Sequence, residues 1–315
     1  MRLSAHREVG SAGIGEIWEE QRLNIMMETE MEDKGLGLVC EGGGMRGIYT
    51  AGILDVLGER GVHFDAAVGT SAGAIHIISF LSGQHGRSIR FYLGYSPDKR
   101  FMGLRSWIQT GDFCNADFCY RQLPDELVPF DYDRFEASDT ACYITCTDVE
   151  TGKPVYHLTK SLRGDEMLYL RASASLPVFS RIVQVEGRGL LDGSTADSIP
   201  FGFLRSEGYR RCVVILTRPE GFVKKPEMSG LIKMVYKKYP AYVKAQCSRH
   251  EHYNAALEEL AALEKAGEVF VFRPSETVPV RRLERNTARI LEQYELGRRD
   301  ALARWEALEA FLTAK

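Results

Sequence analysis

Residues 66–75 read Ala66-Ala67-Val68-Gly69-Thr70-Ser71-Ala72-Gly73-Ala74-Ile75, a short apolar run that passes through Gly-x-Ser-x-Gly into a small-residue segment. The pattern predicts a strand that turns sharply into a helix at Ser71, because the flanking glycines lack the Cβ atoms that would collide there. Such a turn holds a serine hydroxyl clear of the backbone, so Ser71 is the candidate nucleophile. Small residues also form strand-to-helix turns that carry no chemistry, and the pattern alone leaves both interpretations open.

The residues before this turn predict an α/β fold. Leu36–Cys40 is a short apolar run typical of a strand, and Phe64–Val68 predicts a second strand. A helical pattern that ends near Arg60 separates the two. This alternation predicts a three-layer α/β/α arrangement with a mainly parallel central sheet. Ligands bind beyond the C-terminal ends of such strands, where Ser71 and a glycine-rich loop both fall.

The glycine-rich loop follows the first strand and reads Glu-Gly-Gly-Gly-Met-Arg-Gly. Gly42, Gly44 and Gly47 match the Gly-x-Gly-x-x-Gly fingerprint of dinucleotide sites. That fingerprint requires an acidic residue at the end of the second strand to bind a ribose, whereas this strand runs into Thr70 and Ser71. Binding of a nucleotide or phosphate therefore stays an alternative, and another use of the loop is favoured.

The favoured interpretation of the loop is an oxyanion hole. The backbone amides of Gly42, Gly43 and Gly44 would point at the oxygen of a tetrahedral intermediate and stabilise its charge. Arg46 would add positive potential beside them. An ordinary surface ion pair is an equally good explanation for Arg46.

A candidate partner for Ser71 lies in Leu190-Leu191-Asp192-Gly193-Ser194, where an apolar strand stops and a glycine turn begins. The pattern predicts that the Asp192 carboxylate lies at the edge of the sheet. A carboxylate in this position can also simply accept hydrogen bonds from turn amides. Before Asp192 in the chain, the small residues of 170–179 predict the end of a helix that can closely approach the loop of the candidate active site.

Histidines offer a second enzymatic interpretation, a Ser-His-Asp triad. The chain order serine, acid, histidine leaves His157, or His250 and His252 near the C-terminus, as candidates. His250 and His252 are two residues apart and do not share a helix face, which disfavours a metal site there. His76 follows the elbow on a small-residue helix and is interpreted as a packed core residue.

The composition excludes some classes of function but does not identify one. The chain has 315 residues, 44% of them hydrophobic and 26% charged, with a formal net charge of −3, so it offers no bulk attraction for nucleic acid or anionic lipid. Seven cysteines without a Cys-x-x-Cys pattern are typical of reduced thiols in the cytoplasm. Residues 1–34 are charged throughout and contain no apolar core of a signal peptide. They predict an N-terminal extension.

Two segments carry further expectations. Residues 84–135 are rich in aromatic side chains, which predicts either a cap over an apolar pocket or helices that complete the core. Lys224–Arg249 contains six lysines and one arginine against the single acid Glu227, with tyrosines between them. This pattern suits peripheral contact with an anionic membrane, although a solvated charged face is the plainer explanation and Pro240 interrupts any long helix. Beyond it, the sequence predicts a helix over 255–265, a strand over 268–272 and one long helix from Arg285 to about Leu312.

Taken together, the motifs resemble those of the patatin-like phospholipase family, and in particular its bacterial branch, whose members have a helical C-terminal extension. Gly42–Gly47 is similar to that family's oxyanion motif, Gly69–Gly73 to its nucleophile elbow, and Asp192-Gly193 to its catalytic aspartate motif. Order and spacing agree over residues 35–220. Ser194 departs from the glycine or alanine that relatives often carry there, which affects only the local turn.

The resemblance implies a serine lipid acyl hydrolase that works without a cofactor or metal. Ser71 would attack an acyl ester of a lipid or phospholipid, and Asp192 would act as general base and then acid. A free aspartate is a weak base at neutral pH, so its environment would have to raise its pKa. The resemblance further implies a catalytic domain over 35–222, a mostly helical region over 223–315, and a cytoplasmic protein, at the inner face of the membrane if the basic segment binds there, with no nucleic acid partner.

Overall fold

The computed structural model describes residues 33–227 and 229–314. The extension expected over residues 1–34 thus lies almost wholly outside the described residues. A central sheet runs through the described chain in the order β5-β6-β3-β2-β1-β7-β8, with β4 paired to β3. Its strands are β1 Leu36–Cys40, β2 Ala66–Thr70, β3 Ala141–Asp148, β4 Pro154–Thr159, β5 Val183–Val185, β6 Arg188–Asp192, β7 Arg211–Ile215 and β8 Val269–Phe272.

The sheet is mainly parallel. The β1, β2, β3, β7 and β8 strands pair parallel to one another, while β4 and β6 pair antiparallel with β3 and β5 pairs antiparallel with β6. Side chains alternate between two buried faces: Leu38 packs into one apolar cluster and Val39 into the other. Because both faces are covered by helices, the layers stack as α/β/α, and the predicted fold class is confirmed.

Helices follow the strands on both faces, and short 3-10 turns lie at Gly44–Gly47 and Gly193–Thr195. A π-helix spans Phe118–Leu127. The α-helices are α1 Ile48–Glu59, α2 Ala72–Leu81, α3 Arg87–Tyr95, α4 Leu104–Thr110, α5 Tyr132–Glu136, α6 Glu166–Ser173, α7 Phe201–Ser206, α8 Ser229–Val235, α9 Pro240–Lys265, α10 Thr287–Ala303 and α11 Trp305–Thr313. Among the described helices, none is both long enough and apolar enough to cross a bilayer.

The C-terminal elements differ in two ways from the sequence expectation. The helix expected over 255–265 begins much earlier, at Pro240, because proline is well tolerated in the first turn, where its missing amide has no intrahelical partner. The single helix expected from Arg285 to Leu312 was wrong, because the backbone leaves the helical conformation at Arg304, whose guanidinium lies over the ring of Phe270. The expected strand over 268–272 is confirmed as β8.

The C-terminal region is built into the same sheet and layer structure as the rest of the described chain. Strand β8 extends the sheet beside β7, and α10 crosses α1 at close range. A Cβ on Gly297 would lie 2.2 Å from the carbonyl oxygen of Tyr49, and one on Gly52 would lie 2.2 Å from that of Tyr294. The Tyr49 hydroxyl donates a hydrogen bond to Asp300 beside this crossing. The two glycines therefore set the distance between these helices.

Replacing Gly297 with alanine should force α1 and α10 apart. Overpacking of this kind costs about 1–3 kcal/mol of unfolding free energy, which urea or thermal unfolding would measure. The control is Gly94→Ala on the exposed side of α3, where an added Cβ meets nothing within 4 Å. That variant should be neutral or stabilised by up to about 1 kcal/mol. Equal stability of the two variants would contradict the close-crossing account.

Candidate active site

Ser71 lies at the turn between β2 and α2 in a strained backbone conformation. Its φ is 55° and its ψ is −122°, a region that residues with a Cβ rarely adopt. Such a conformation costs about 1–3 kcal/mol and persists only where surrounding structure fixes it. Here a Cβ on Gly73 would lie 2.3 Å from the Cys40 carbonyl oxygen, and one on Gly69 would lie 2.6 Å from the Ala74 nitrogen. The local geometry is therefore that of the predicted elbow.

Ser71 and Asp192 are in direct contact. The Ser71 hydroxyl donates a hydrogen bond of 2.8 Å to Asp192 Oδ2, and both residues are almost fully buried. The other carboxylate oxygen, Oδ1, accepts a 2.8 Å hydrogen bond from the Ser194 amide. Asp192 thus does both things that the sequence allowed, since it accepts a turn amide and also contacts the candidate nucleophile.

Strand β3 accounts for this contact. Thr70, which precedes Ser71, pairs with Thr145 of β3, and Asp192 pairs with the next residue, Cys146, on the same edge of β3, because β4 occupies the opposite edge. Strand β6 therefore continues the line of β2 along β3, and Asp192 lies next to the turn at Ser71. Although β6 is antiparallel, it pairs only with residues 146–148 at the C-terminal end of β3, so Asp192 lies at the functional end of the sheet.

Ser173 ties the elbow to β3, and the sequence did not single it out individually. It lies at the end of α6, fully buried, and its Oγ accepts a 2.8 Å hydrogen bond from the Ser71 amide. The same hydroxyl donates a 2.7 Å hydrogen bond to the Thr145 carbonyl. The small-residue segment in which it lies was the available signal, since small side chains predicted a close approach of this helix end.

The glycine loop offers two backbone donors to the site. The Gly42 amide donates to the Ser198 carbonyl at 3.2 Å and is therefore already engaged. Within residues 33–227 and 229–314, the amides of Gly43 and Gly44 donate to no protein acceptor. Gly44 has a φ of 57°, and a Cβ there would lie 2.7 Å from the Arg282 carbonyl oxygen. Only glycine fits this position comfortably.

Arg46 follows the glycines and is largely buried. Burial, with repulsion from Arg218, lowers its pKa to about 10. Its Nε is buried without a hydrogen-bond partner, and no described carboxylate lies within salt-bridge distance of its guanidinium. The surface ion pair that the sequence left open is therefore not what Arg46 forms.

Two cavities meet at Ser71. One, of about 580 Å³, has a mixed lining that includes the glycine loop, Asp192 and charged residues of the C-terminal region, and we call it the polar cavity. The other, of about 1000 Å³, is mostly apolar. Aromatic side chains of the 84–135 segment line the apolar cavity: Phe91, Tyr92, Phe101, Tyr120 and Phe130. The segment thus forms the cap over an apolar pocket, while others of its aromatic side chains, such as Phe118, are buried in the core.

Histidines do not line either of these cavities among the described residues. His157 stacks on Tyr169 and lies 2.8 Å from Glu166, while the His250 ring contacts the Cys247 carbonyl. His252 lines a separate small cavity. The geometry therefore gives no support to a Ser-His-Asp triad.

His76 is the remaining histidine of the sequence hypotheses. It is 1% exposed, and its Nδ1 lies 3.0 Å from the Ser88 hydroxyl. Burial lowers its pKa to about 3, so the ring is neutral at physiological pH. Its surroundings are those of a packed core residue. In the described part of the chain, no three His, Cys, Asp or Glu side chains are grouped to hold a metal ion.

Comparisons with known proteins bear on this geometry. The uncharacterized Escherichia coli protein YjjU is 30% identical over 197 residues, which cover 61% of this chain and 54% of YjjU. Lysophospholipase nte1 of Emericella nidulans is 28% identical over 181 residues, which cover 56% of this chain and 11% of that protein. The chain thus spans about half the length of YjjU and about a tenth of nte1.

Structural and family comparisons complete these findings. The crystal structure of VipD from Legionella pneumophila aligns with a TM-score of 0.43 at 11% identity, over 88% of this chain and 68% of VipD. A model of a domain of unknown function, DUF6363, matches residues 239–313. The model of the patatin-like phospholipases matches residues 38–205, more than half of the sequence. The chain therefore belongs to the patatin-like phospholipase family.

Proposed function

We propose that the protein is a serine hydrolase of lipid acyl esters that uses a Ser71-Asp192 dyad. The observation that carries this proposal is the 2.8 Å hydrogen bond from Ser71 to Asp192 at the junction of a polar and an apolar cavity. An ester with one long acyl chain has the same division between a polar and an apolar part. Family membership, and the lysophospholipase named among the relatives, support a lipid substrate.

The reaction proceeds through an acyl-enzyme. As Ser71 Oγ attacks the ester carbonyl, its proton passes to Asp192 Oδ2, and the tetrahedral oxyanion forms. Collapse of this intermediate expels the alcohol, which takes the proton from Asp192. Water then attacks the acyl-serine, gives a proton to Asp192 and releases the fatty acid, and Ser71 recovers its proton. No histidine is needed to transfer this proton.

The oxyanion is stabilised by the amides of Gly43 and Gly44, which have no protein acceptor in the described chain. Each such donor is worth about 10²–10³ in kcat. The N-terminus of α2 adds positive potential beside Ser71, and the Arg46 guanidinium adds a full charge nearby. The low basicity of a carboxylate is thereby offset by electrostatic stabilisation of the transition state.

Labelling by a fluorophosphonate probe tests the dyad. Wild-type protein should react, Ser71→Ala should not react at all, and Asp192→Asn should react at least about 100-fold more slowly because the proton acceptor is lost. Intact-protein mass spectrometry measures each reaction. His250→Ala is the control and should react like wild type; a loss comparable to that of Ser71→Ala would favour a triad instead.

Ser173 supplies a second test as a positioning residue. Ser173→Ala removes the acceptor of the Ser71 amide, so the elbow loses its connection to β3 and kcat should fall about 10- to 100-fold. The KM for a short-chain ester should change little, since the cavities keep their lining. Ser175→Ala is the matched control, because Ser175 contacts Asp192 through its backbone carbonyl. If the two variants have the same kcat, Ser173 has no positioning role.

We further propose that the basic segment contacts an anionic membrane beside the site. Helix α8 exposes Met234 and Val235 together with Lys233, and Lys237 and Lys238 follow it on the surface. Ile232 of the same helix lines the polar cavity. Exposed apolar and basic side chains thus lie on an element that also borders the site. We place this proposed contact at the inner face of the membrane, because the seven free cysteines suit the reducing cytoplasm.

Vesicle co-sedimentation tests this contact. Lys233, Lys237 and Lys238 changed together to glutamine should weaken binding to anionic vesicles about 100-fold at low salt, since each lysine contributes about 1 kcal/mol. The control removes three exposed lysines elsewhere, Lys153, Lys160 and Lys265. Binding that ignores anionic lipid content and salt, or that the control reduces equally, would refute the contact.

A further inference from the structure

The polar cavity contains three arginines, and the proposed acyl transfer uses only one of them, Arg46, for its positive charge. Arg46 comes from the glycine loop, Arg249 from α9 and Arg282 from the segment before α10, and all three line the cavity that contains Ser71 and Asp192. The carboxylates in the lining are Asp192, which Ser71 contacts, and Glu227. Positive charge therefore exceeds negative charge beside the candidate nucleophile.

Two of these arginines have no carboxylate partner in the part of the chain that the structure describes. Arg282 pairs with Glu227 at 3.3 Å. The Arg249 guanidinium reaches only the Ser198 hydroxyl, at 3.4 Å from both Nε and Nη2, and Arg46 Nε is buried without any partner. Burial and repulsion between the arginines lower the pKa of Arg249. Uncompensated buried charges are costly and mark sites where a ligand of opposite charge belongs.

We infer that Arg46, Arg249 and Arg282 bind the phosphate group of the substrate lipid while its acyl chain occupies the apolar cavity. The planar guanidinium fork matches the oxygens of a phosphate, which makes arginine the usual residue for this contact. The two cavities meet at Ser71, so an ester between a chain and a phosphate-bearing head spans both. This inference rests on the proposed function and narrows its substrate to esters with a phosphate close to the scissile bond.

The inference also gives the C-terminal region a role. Arg249 and Arg282 lie in the region that matches the domain of unknown function. The Arg282 carbonyl accepts a hydrogen bond of 3.0 Å from the Met45 amide, which attaches this region to the glycine loop. Two of the three cations thus reach the site from outside the segment that matches the phospholipase model, and the site is complete only with both.

Two soluble esters with the same chain provide the test: 1-octanoylglycerol 3-phosphate and the neutral 1-octanoylglycerol. Wild-type protein should show a higher kcat/KM for the phosphate ester. Arg249→Gln should reduce the ratio of the two kcat/KM values about 10- to 100-fold, because one charged hydrogen-bonding group is lost. Arg249→Lys, which keeps the charge and loses the fork, should reduce it less. The control Arg105→Gln removes an exposed arginine and should leave the ratio unchanged.

The outcomes separate this inference from the proposed function. A ratio near one for wild type, or an unchanged ratio in Arg249→Gln that still labels with a fluorophosphonate, overturns the phosphate site and leaves the hydrolase intact. Without labelling or hydrolysis of either ester, the proposed function fails, and with it the assignment of the phosphate to a substrate. Thermal stabilisation by inorganic phosphate, lost in Arg249→Gln, would then identify a site for free phosphate, whereas a site for the lipid head requires the change in ratio.

Discussion

The site depends on how closely α2 approaches the end of β1. At this contact, Gly73 leaves no room for a side chain against Cys40, and Ser71 is held in a conformation that it would not adopt alone. The parallel register of β1 with β2, in which Cys40 pairs with Gly69, brings the glycine loop beside the serine. One packing constraint therefore sets both the direction of the hydroxyl and its distance from the loop amides.

Glu41, at the start of the glycine-rich loop, stabilises the loop with a buried carboxylate. It accepts hydrogen bonds from the amide and hydroxyl of Thr217, two residues beyond β7, and from the hydroxyl of Tyr253 in α9. A carboxylate buried in this way is tolerable because every contact comes from a donor and because cations such as Arg46 lie near. These hydrogen bonds fix the loop both to the sheet and to the C-terminal helices. The position of the loop therefore depends on both parts of the fold.

The sequence predicted those parts of the molecule that local patterns determine. The α/β class and the positions of Ser71 and Asp192 on turns follow from short runs of apolar residues that end in glycine. The contact between Ser71 and Asp192 could not be read from the residues alone, because it depends on β6 overlapping only part of β3. The roles of Arg282 and Ser173 could not be predicted for the same reason. Each reaches the site through contacts between residues that are far apart in the sequence, and not through a local motif.

The segment that matches the family and the C-terminal region contribute different groups to the site. The segment that resembles the family supplies the serine, the aspartate and the loop amides, all fixed by the sheet. The C-terminal region supplies Arg249 and Arg282 from a long helix and a connecting segment. In the proposed function, chemistry that acts on any acyl ester would be joined to a polar cavity whose charge selects among esters. The segment that carries Arg282 is attached to the rest of the fold by the close packing of the following helix, α10, on α1 through Gly52 and Gly297, and by the hydrogen bond from the Met45 amide to the Arg282 carbonyl.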